Sequence, residues 1–600
     1  MVQFEHEPEL HLVNSIDEAF AMKRWLGERR EFNILGLDTE TSGLSPYLPN
    51  SRLRTIQIGD HRTGWTVPWE QWGGAALECL RDWKGGIALH NASFDAKWLK
   101  VQAGYDIPWD RTYDTMIMAQ LIAPKEPSKG LKELSTKFVD YRSNMEQKEL
   151  KKVFKDNGWG WDTIPIEFPT YWIYSALDPV LTCHLWSKFP AHEIYPKSFD
   201  LEMATLRITT NMEHKGMRVD VEYSKQKHKE IMEQVEKAKK NFQDTYGVSM
   251  SSTQQLVGLF QKYWGNKIFT EFTASGAPSV NEKQLAIFTT NEDRNLAELA
   301  KFVLKVRGRE KVGNSYFKNF IEMQENGLLH ANIKTMGART GRMSVTNPAL
   351  QTIPSSDSEV RNAFLPNNSG ELIVSSDYSQ MELRLLAHFA KDKKLQEAFH
   401  DADRTGGDFF SNLGKEIYQN PDFDKSNPKR GLVKSTMYGL IYGAGPAKLA
   451  QTAGIPISEM EPVVEGVHKT FPGIKQFMKD TERDGQRRER EEGDAYIEME
   501  TGRRIPADEG KIYTLVNYML QGTGAELLKK SLVRLDAAGY GEFLVVPIHD
   551  EVIFSIPENE ITEALPEIEE IMSYKGGQFE VDQLAEPEGG FPRWGAKYEK

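Results

Sequence analysis

Three groups of residues have the types and spacings that chemistry on phosphodiesters needs. The first is spread over Asp38-Thr39-Glu40, Asn91-Ala92-Ser93-Phe94-Asp95 and Tyr174-Ser175-Ala176-Leu177-Asp178. Carboxylates two apart on a strand point to one side, and residues four apart share a helix face. Acids converging from separate segments make a hard, oxygen-only site suited to Mg²⁺ or Mn²⁺. Two such ions can activate a water and stabilise a leaving phosphodiester oxygen. Tyr174 would orient or deprotonate that water. Singly the pieces are ordinary: a D-x-E triplet arises by chance in so acidic a chain, and Tyr174 with Asp178 would serve as an exposed helix pair. Order and context together carry the reading.

The second group is Asp377, in Glu371-Leu-Ile-Val-Ser-Ser-Asp377-Tyr-Ser-Gln-Met-Glu382-Leu-Arg384, with Asp550 in His549-Asp550-Glu551. Two carboxylates meeting at ~4 Å repel by roughly 4 kcal/mol at an effective dielectric of 20, so they need a shared proton or cations. The third is a stripe, Arg430, Lys434, Tyr438 and Tyr442, spaced by four and therefore on one slowly drifting helix face. Two cations followed by aromatics is the order a triphosphate and a base would require. An amphipathic helix with snorkelling cations has the same pattern.

The elements that must hold these residues are legible from apolar patterning. Phe32–Asp38 reads as a buried strand ending at a carboxylate, with Arg54–Gly59 and Gly64–Pro68 as a neighbouring hairpin. Gly86–Asn91 is another strand, followed by a helix from Ala92 to about Ala103, in an α/β domain ending near Phe189-Pro190. Residues 200–245 read as one long helix. A strand-turn-helix begins at 370, strands return near 495–506, a helix covers 515–538 and a hairpin 542–556, while 576–579 and 586–590 read as turns. Asn427 is an N-cap candidate with Pro428 at the first helical position.

Composition bounds the class. With 600 residues, a prior of about 150 per domain gives several domains. Two cysteines, Cys79 and Cys183, exclude a disulfide scaffold and a Cys-rich zinc module and suit a reducing compartment. No apolar run is long enough for a membrane span, and the N-terminus lacks a signal-peptide layout, so a soluble cytoplasmic protein is expected. The net charge is −13, yet residues 301–342 carry nine basic against three acidic residues. That stretch is either a phosphate-backbone surface or a solvated face.

The pattern D-x-E … N-x₃-D … Y-x₃-D resembles the ribonuclease H-like 3′–5′ exonuclease of the DEDDy type. Asp377-Tyr-Ser-Gln-Met-Glu-Leu-Arg, Arg430-x₃-Lys434-x₃-Tyr438-Gly-x₂-Tyr442-Gly and His549-Asp550-Glu551 are similar to the palm and fingers motifs of family A DNA polymerases. Thr340-Gly-Arg342 with Asn347–Gln351, and Asn517-x₃-Gln521-Gly-Thr-Gly-Ala-Glu526, resemble the segments that contact primer and template. The resemblance covers nearly the whole chain and implies an α/β and α+β multidomain fold. Residues 1–195 would form the exonuclease and 196–600 a right-hand polymerase. Within the latter, the thumb lies at about 200–335, the palm at about 336–395 and 505–600, and the fingers at about 396–504. No 5′-nuclease domain is expected, and a phage replicase fits.

By the same resemblance Asp377 and Asp550, with the Tyr378 carbonyl, hold two Mg²⁺ or Mn²⁺ ions, as do Asp38, Glu40, Asp95 and Asp178. Glu551 is open between ligand and structural part. Arg430 and Lys434 grip the dNTP phosphates, with Lys434 the acid for pyrophosphate. Tyr438, Tyr442 and Gln380 line the nucleotide site, and Glu382 excludes a 2′-hydroxyl. Arg342, Gln351, Asn517, Gln521 and His549 meet the primer-template. Tyr at 438 implies weak discrimination against dideoxynucleotides. The chain departs from the family pattern at Phe410, where a phosphate-binding His is usual, and at Ala349, Met437 and Tyr513. The expected protein is a monomeric, proofreading replicative DNA polymerase. Competing readings are an exonuclease with an inactive polymerase module, or a scaffold that only clamps DNA; Glu382 and the exonuclease block disfavour an RNA polymerase.

Overall fold

The computed structural model describes residues 2–28, 34–354 and 357–599. Strands β1 (Glu9–Leu12), β2 (Ile34–Thr41), β3 (Leu53–Gly59), β4 (Thr63–Pro68), β5 (Gly86–Leu89) and β6 (Thr112–Asp114) form one sheet in the order β1-β4-β3-β2-β5-β6. β2, β3 and β4 run antiparallel, while β1, β5 and β6 join in parallel. Of the expected strand Phe32–Asp38, Phe32 and Asn33 lie outside the described residues. The strand does not end at Asp38 but continues through Glu40 to Thr41, so both acids project from regular pleat. The helix Ala92–Ala103 follows β5 as expected.

The helix Pro169–Lys188 lies across this sheet with Pro169 in its first turn, where no N–H is needed. It sits close because the sheet is bare beneath it. A Cβ on Gly36 would fall 2.2 Å from the Pro179 carbonyl oxygen, and one on Gly64 1.8 Å from that of Ala176.

Residues 200–245 are two helices, not one. Pro196–Lys215 stops at Gly216, which takes φ 74°, and Val221–Tyr246 restarts after Asp220, whose carboxylate accepts from Tyr223 N at 2.9 Å. The first of these helices belongs to two cores. Phe199, Met203 and Leu206 complete the core that begins at Val13, and from Ile208 onward the helix packs into a second core reaching Trp594. Buried ion pairs fasten it on both sides: Glu213 to Lys97 of the helix Ala92–Ala103, and Glu202 to Lys529 of the helix Thr514–Ala537 at 2.5 Å.

The second core is built on a four-stranded antiparallel sheet in the order Leu544–Ile548, Glu551–Pro557, Glu371–Tyr378, Ala585–Phe591. The last strand corrects the expectation of a turn at 586–590. Pro587 pairs opposite Ser376 on the sheet's edge, the one place where a missing N–H is tolerated. Helices from Lys393–Thr405 to Pro472–Glu492 follow, and their buried residues, among them Phe399, Val433 and Ile474, join this same core. Cys79 and Cys183 are free and buried. Among the described residues no helix is long and apolar enough to cross a membrane.

Candidate active sites

Asp38 and Glu40 leave β2 on one face, and the helix Pro169–Lys188 lowers Asp178 onto them, so that ligand atoms of the three lie within 4.8 Å of one another. Asp95, 1% exposed, stands beside this trio and accepts from Thr39 Oγ at 2.6 Å. Burial raises the Asp38 and Glu40 carboxyls well above the ordinary range; the next contributions are the Asp95 charge on Asp38 and the Asp178 charge on Glu40. Burial likewise pushes Asp95 up to about 7 and raises Asp178. Four acids crowded this way form an oxygen-only donor set of the kind that suits hard divalent cations. Tyr174 and Asp178 are buried, not an exposed pair. Burial, then Asp178, raises the Tyr174 phenol far above neutrality.

One cation is present that sequence reasoning missed. Lys132, on the helix Leu131–Phe138, pairs with Asp178 in the interior, and its Nζ lies 4.1 Å from the centre of the Tyr174 ring. A single lysine in an amphipathic helix carries no signal of this.

The second group assembles on the other sheet. Asp377 lies opposite Glu551 in the register, and Tyr378 N donates to the Asp550 carbonyl at 3.3 Å, which brings segments 173 positions apart to one place. Burial first, then Glu551, pushes Asp377 up to about 7, with Lys597 opposing. The Tyr378 hydroxyl is used internally on the Met572 carbonyl at 2.7 Å, leaving its backbone at the site.

Two residues flanking the acids are held in the left-handed region, Gln380 at φ 53° and His549 at φ 56°. Such strain concentrates where geometry serves function. Gln380 Oε1 and Asn517 Oδ1 are buried without a hydrogen-bond partner. Gln521 lies one turn beyond Asn517 on the same helix. The His549 ring bonds the Gln351 carbonyl at 2.9 Å, while the Gln351 amide braces Met343 and Val345. Arg342 pairs with Glu382 and reaches within 4.0 Å of Asp550, and Tyr442 donates to Glu382 at 3.2 Å.

The stripe lies on the helix Arg430–Ile441, with Tyr442 just past its end. Asn427 and Pro428 do not begin this helix; they form the turn before it, Asn427 Oδ1 accepting from Lys429 N at 3.0 Å. Phe410, one of the departures, is buried beneath the stripe. Its ring is 5.5 Å from the Arg430 guanidinium, 5.7 Å from Lys434 Nζ and 6.3 Å from the Tyr438 ring. Met437 is fully buried and Tyr513 is exposed. Several basic groups of the 301–342 stretch are occupied internally: Arg309 by Glu359, Arg339 by Asp508, Arg342 by Glu382 and Arg307 by the Val280 carbonyl. Between the modules lies a cleft of about 570 Å³, lined by Leu44, Asn91, Phe94, Lys97, Lys129 and Arg339 among others.

The chain is 28% identical to the DNA polymerase of Mycobacterium phage D29 over all of its length and 99% of that protein. It is 29% identical to the DNA polymerase I of Aquifex aeolicus, over 90% of this chain and 92% of that one. The solved POL domain of Pol1 from M. smegmatis, in complex with DNA primer-template and dNTP, has the same fold, with a TM-score of 0.76 at 22% identity over 98% of this chain and 99% of that one. The family model for 3′–5′ exonuclease matches residues 13–192 and that for DNA polymerase family A matches residues 221–596. With more than half its length in the second match, the chain belongs to DNA polymerase family A and carries a 3′–5′ exonuclease domain.

Proposed function

We propose that residues 1–195 edit and residues 196–600 synthesise, with the thumb, palm and fingers bounds set out above, and that the substrates are primer-template DNA and dNTPs. The separate cores on either side of the helix Pro196–Lys215 support that division. Asp377 and Asp550 with the Tyr378 carbonyl would hold two Mg²⁺ or Mn²⁺ ions, and Asp38, Glu40, Asp95 and Asp178 two more. Oxygen-only donors, among them Asp38, Glu40 and Asp178 with ligand atoms within 4.8 Å of one another, fit that role. Bound there, the ions activate the attacking hydroxyl or water and offset charge on the leaving oxygen.

The chain's own residues supply the rest. Arg430 and Lys434 hold the triphosphate, and Lys434 gives its proton to the departing pyrophosphate. Tyr438 stacks by the sugar and base. Glu382, fixed by Arg342 and Tyr442, closes the space a 2′-hydroxyl would need. Gln380, Gln351, Asn517, Gln521 and His549 meet the primer-template. Tyr174 orients the water that cleaves a mispaired end, and the cleft between the modules offers that end a route.

The observation that carries the reading is that the turn holding Asp550 meets the end of the strand Glu371–Tyr378, Tyr378 N donating to the Asp550 carbonyl and Asp377 lying opposite Glu551. Primer extension with and without dNTPs tests it. Asp377→Ala abolishes synthesis and spares 3′ degradation, and Asp38→Ala does the reverse. Loss of both activities from either change in a folded protein would overturn the two-site assignment.

A further inference from the structure

Glu551 is the acid whose role the sequence leaves open, and both its oxygens are already engaged. Ser375 donates to Oε1, Lys597 Nζ lies 2.9 Å from Oε1 and 2.7 Å from Ser375 Oγ, and the Tyr598 hydroxyl stands 3.4 Å from both oxygens. The Lys597 and Glu551 side chains are only 14% and 9% exposed. Lys597 and Tyr598 come from the turn Trp594–Tyr598, which is itself anchored. Trp594 is fully buried against Phe364, and the Arg361 guanidinium lies 5.0 Å from the Trp594 ring and 4.5 Å from that of Tyr598.

The place of this pair gives it consequence. Glu551 follows Asp550 directly and faces Asp377 across the strands. A loose carboxylate there repels Asp377 or offers cations a third acid in place of substrate oxygens. An ammonium beside it offsets part of that repulsion, and the ammonium and two hydroxyls together hold the carboxylate back from the cations. On the reading of this site as the polymerase centre, we infer that Lys597 is a positioning residue for DNA synthesis: by fastening Glu551 it keeps that carboxylate out of the space between Asp377 and Asp550.

The test uses the full chain, a primer protected at its 3′ end by a phosphorothioate linkage, and three variants: Lys597→Met, Lys597→Arg and Glu551→Gln/Lys597→Met. Lys597→Met lowers kcat for single-nucleotide addition roughly tenfold or more, because the freed Glu551 disturbs the acids that would hold the ions, with the dNTP KM little changed. Mn²⁺ titration followed by electron paramagnetic resonance shows tighter binding in this variant, because the freed Glu551 joins the cations; the exonuclease acids contribute equally to every variant. Lys597→Arg retains most of the rate. The double variant regains both rate and wild-type Mn²⁺ affinity, since no unpaired charge is left. A lysine that only supports the fold gives a double variant no better than the single one, and that result overturns the inference. So does a Lys597→Met protein with wild-type kcat and Mn²⁺ affinity. A wild-type chain unable to extend any primer sinks the polymerase reading instead, and is distinguishable from both.

Discussion

Asp408 grips the guanidinium of Arg430 along one edge, accepting from Nε at 2.7 Å and from Nη2 at 2.5 Å. The same carboxylate caps the helix Phe409–Tyr418 by accepting from Ser411 N at 2.8 Å. The Arg430 guanidinium holds the Asp408 carboxyl well below the usual range. In the proposed role of Arg430 at the triphosphate, this fork would hold the arginine oriented before the nucleotide arrives. Asp408→Asn keeps a capping oxygen but loses the charged fork. The expected outcome is a dNTP KM raised by about tenfold with kcat changed much less, read by steady-state primer extension. An unchanged KM would show that Arg430 needs no such tether.

Lys132 predicts a dependence of stability on divalent cations. Its side chain is 4% exposed and its partner Asp178 6%. Removing one member of a buried pair typically costs about 3–5 kcal/mol because the other charge is stranded. Lys132→Met should therefore melt well below the wild type in EDTA, and added Mg²⁺ should recover much of the difference by answering Asp178. Equal losses with and without Mg²⁺ would contradict this.

The raised acids set a pH dependence. Asp95 and Asp377 titrate near 7 in the folded chain against a reference of 3.8, so between those values the folded state binds protons that the unfolded state has released. Stability of the metal-free protein then falls as pH rises from about 4 through about 7, and the raised Asp38 and Glu40 carboxyls add to the fall. Melting in EDTA at pH 5.5 and pH 8 should show the higher temperature at the lower pH. Mg²⁺ should shrink the gap, and Asp95→Asn with Asp377→Asn should reduce it. A higher melting temperature at pH 8 in EDTA would refute the assignment.

Gly341 offers a probe of the primer-side loop. It takes φ 84°, and a Cβ there would lie 2.0 Å from Arg503 Nη1. Arg503 is 3% exposed and donates to the Arg339 carbonyl at 2.5 Å, so it has little room to yield. Gly341→Ala should displace the neighbouring Arg342 and depress synthesis, while degradation of single-stranded DNA continues at the wild-type rate. Parallel loss of both would point to general unfolding.

The segments that the structure brings together at Asp38 and at Asp377 are legible in the sequence because motif, spacing and local element agree. The helix Ala92–Ala103 and the strand before Asp377 are readable from apolar period alone. What was not legible depends on contacts distant in sequence. Glu586–Gly590 has the composition of a turn and becomes strand only because an edge beside Glu371–Tyr378 is open to it. Gly216 interrupts a continuous helical pattern at a single positive φ. Lys132, Asp408 and Lys597 are ordinary charged residues until folding sets each against an acid. Phe410 shows the converse: a departure from the family pattern acquires a role through the three stripe residues above it.

The bare floor beneath the helix Pro169–Lys188 has an evolutionary corollary. Gly36 and Gly64 touch no substrate, yet a single methyl at either one lifts the helix and carries Asp178 away from Asp38 and Glu40. Proofreading by this polymerase is therefore exposed to mutation at positions with no reactive atoms. A variant bearing alanine there would extend primers at normal speed and accumulate mistakes.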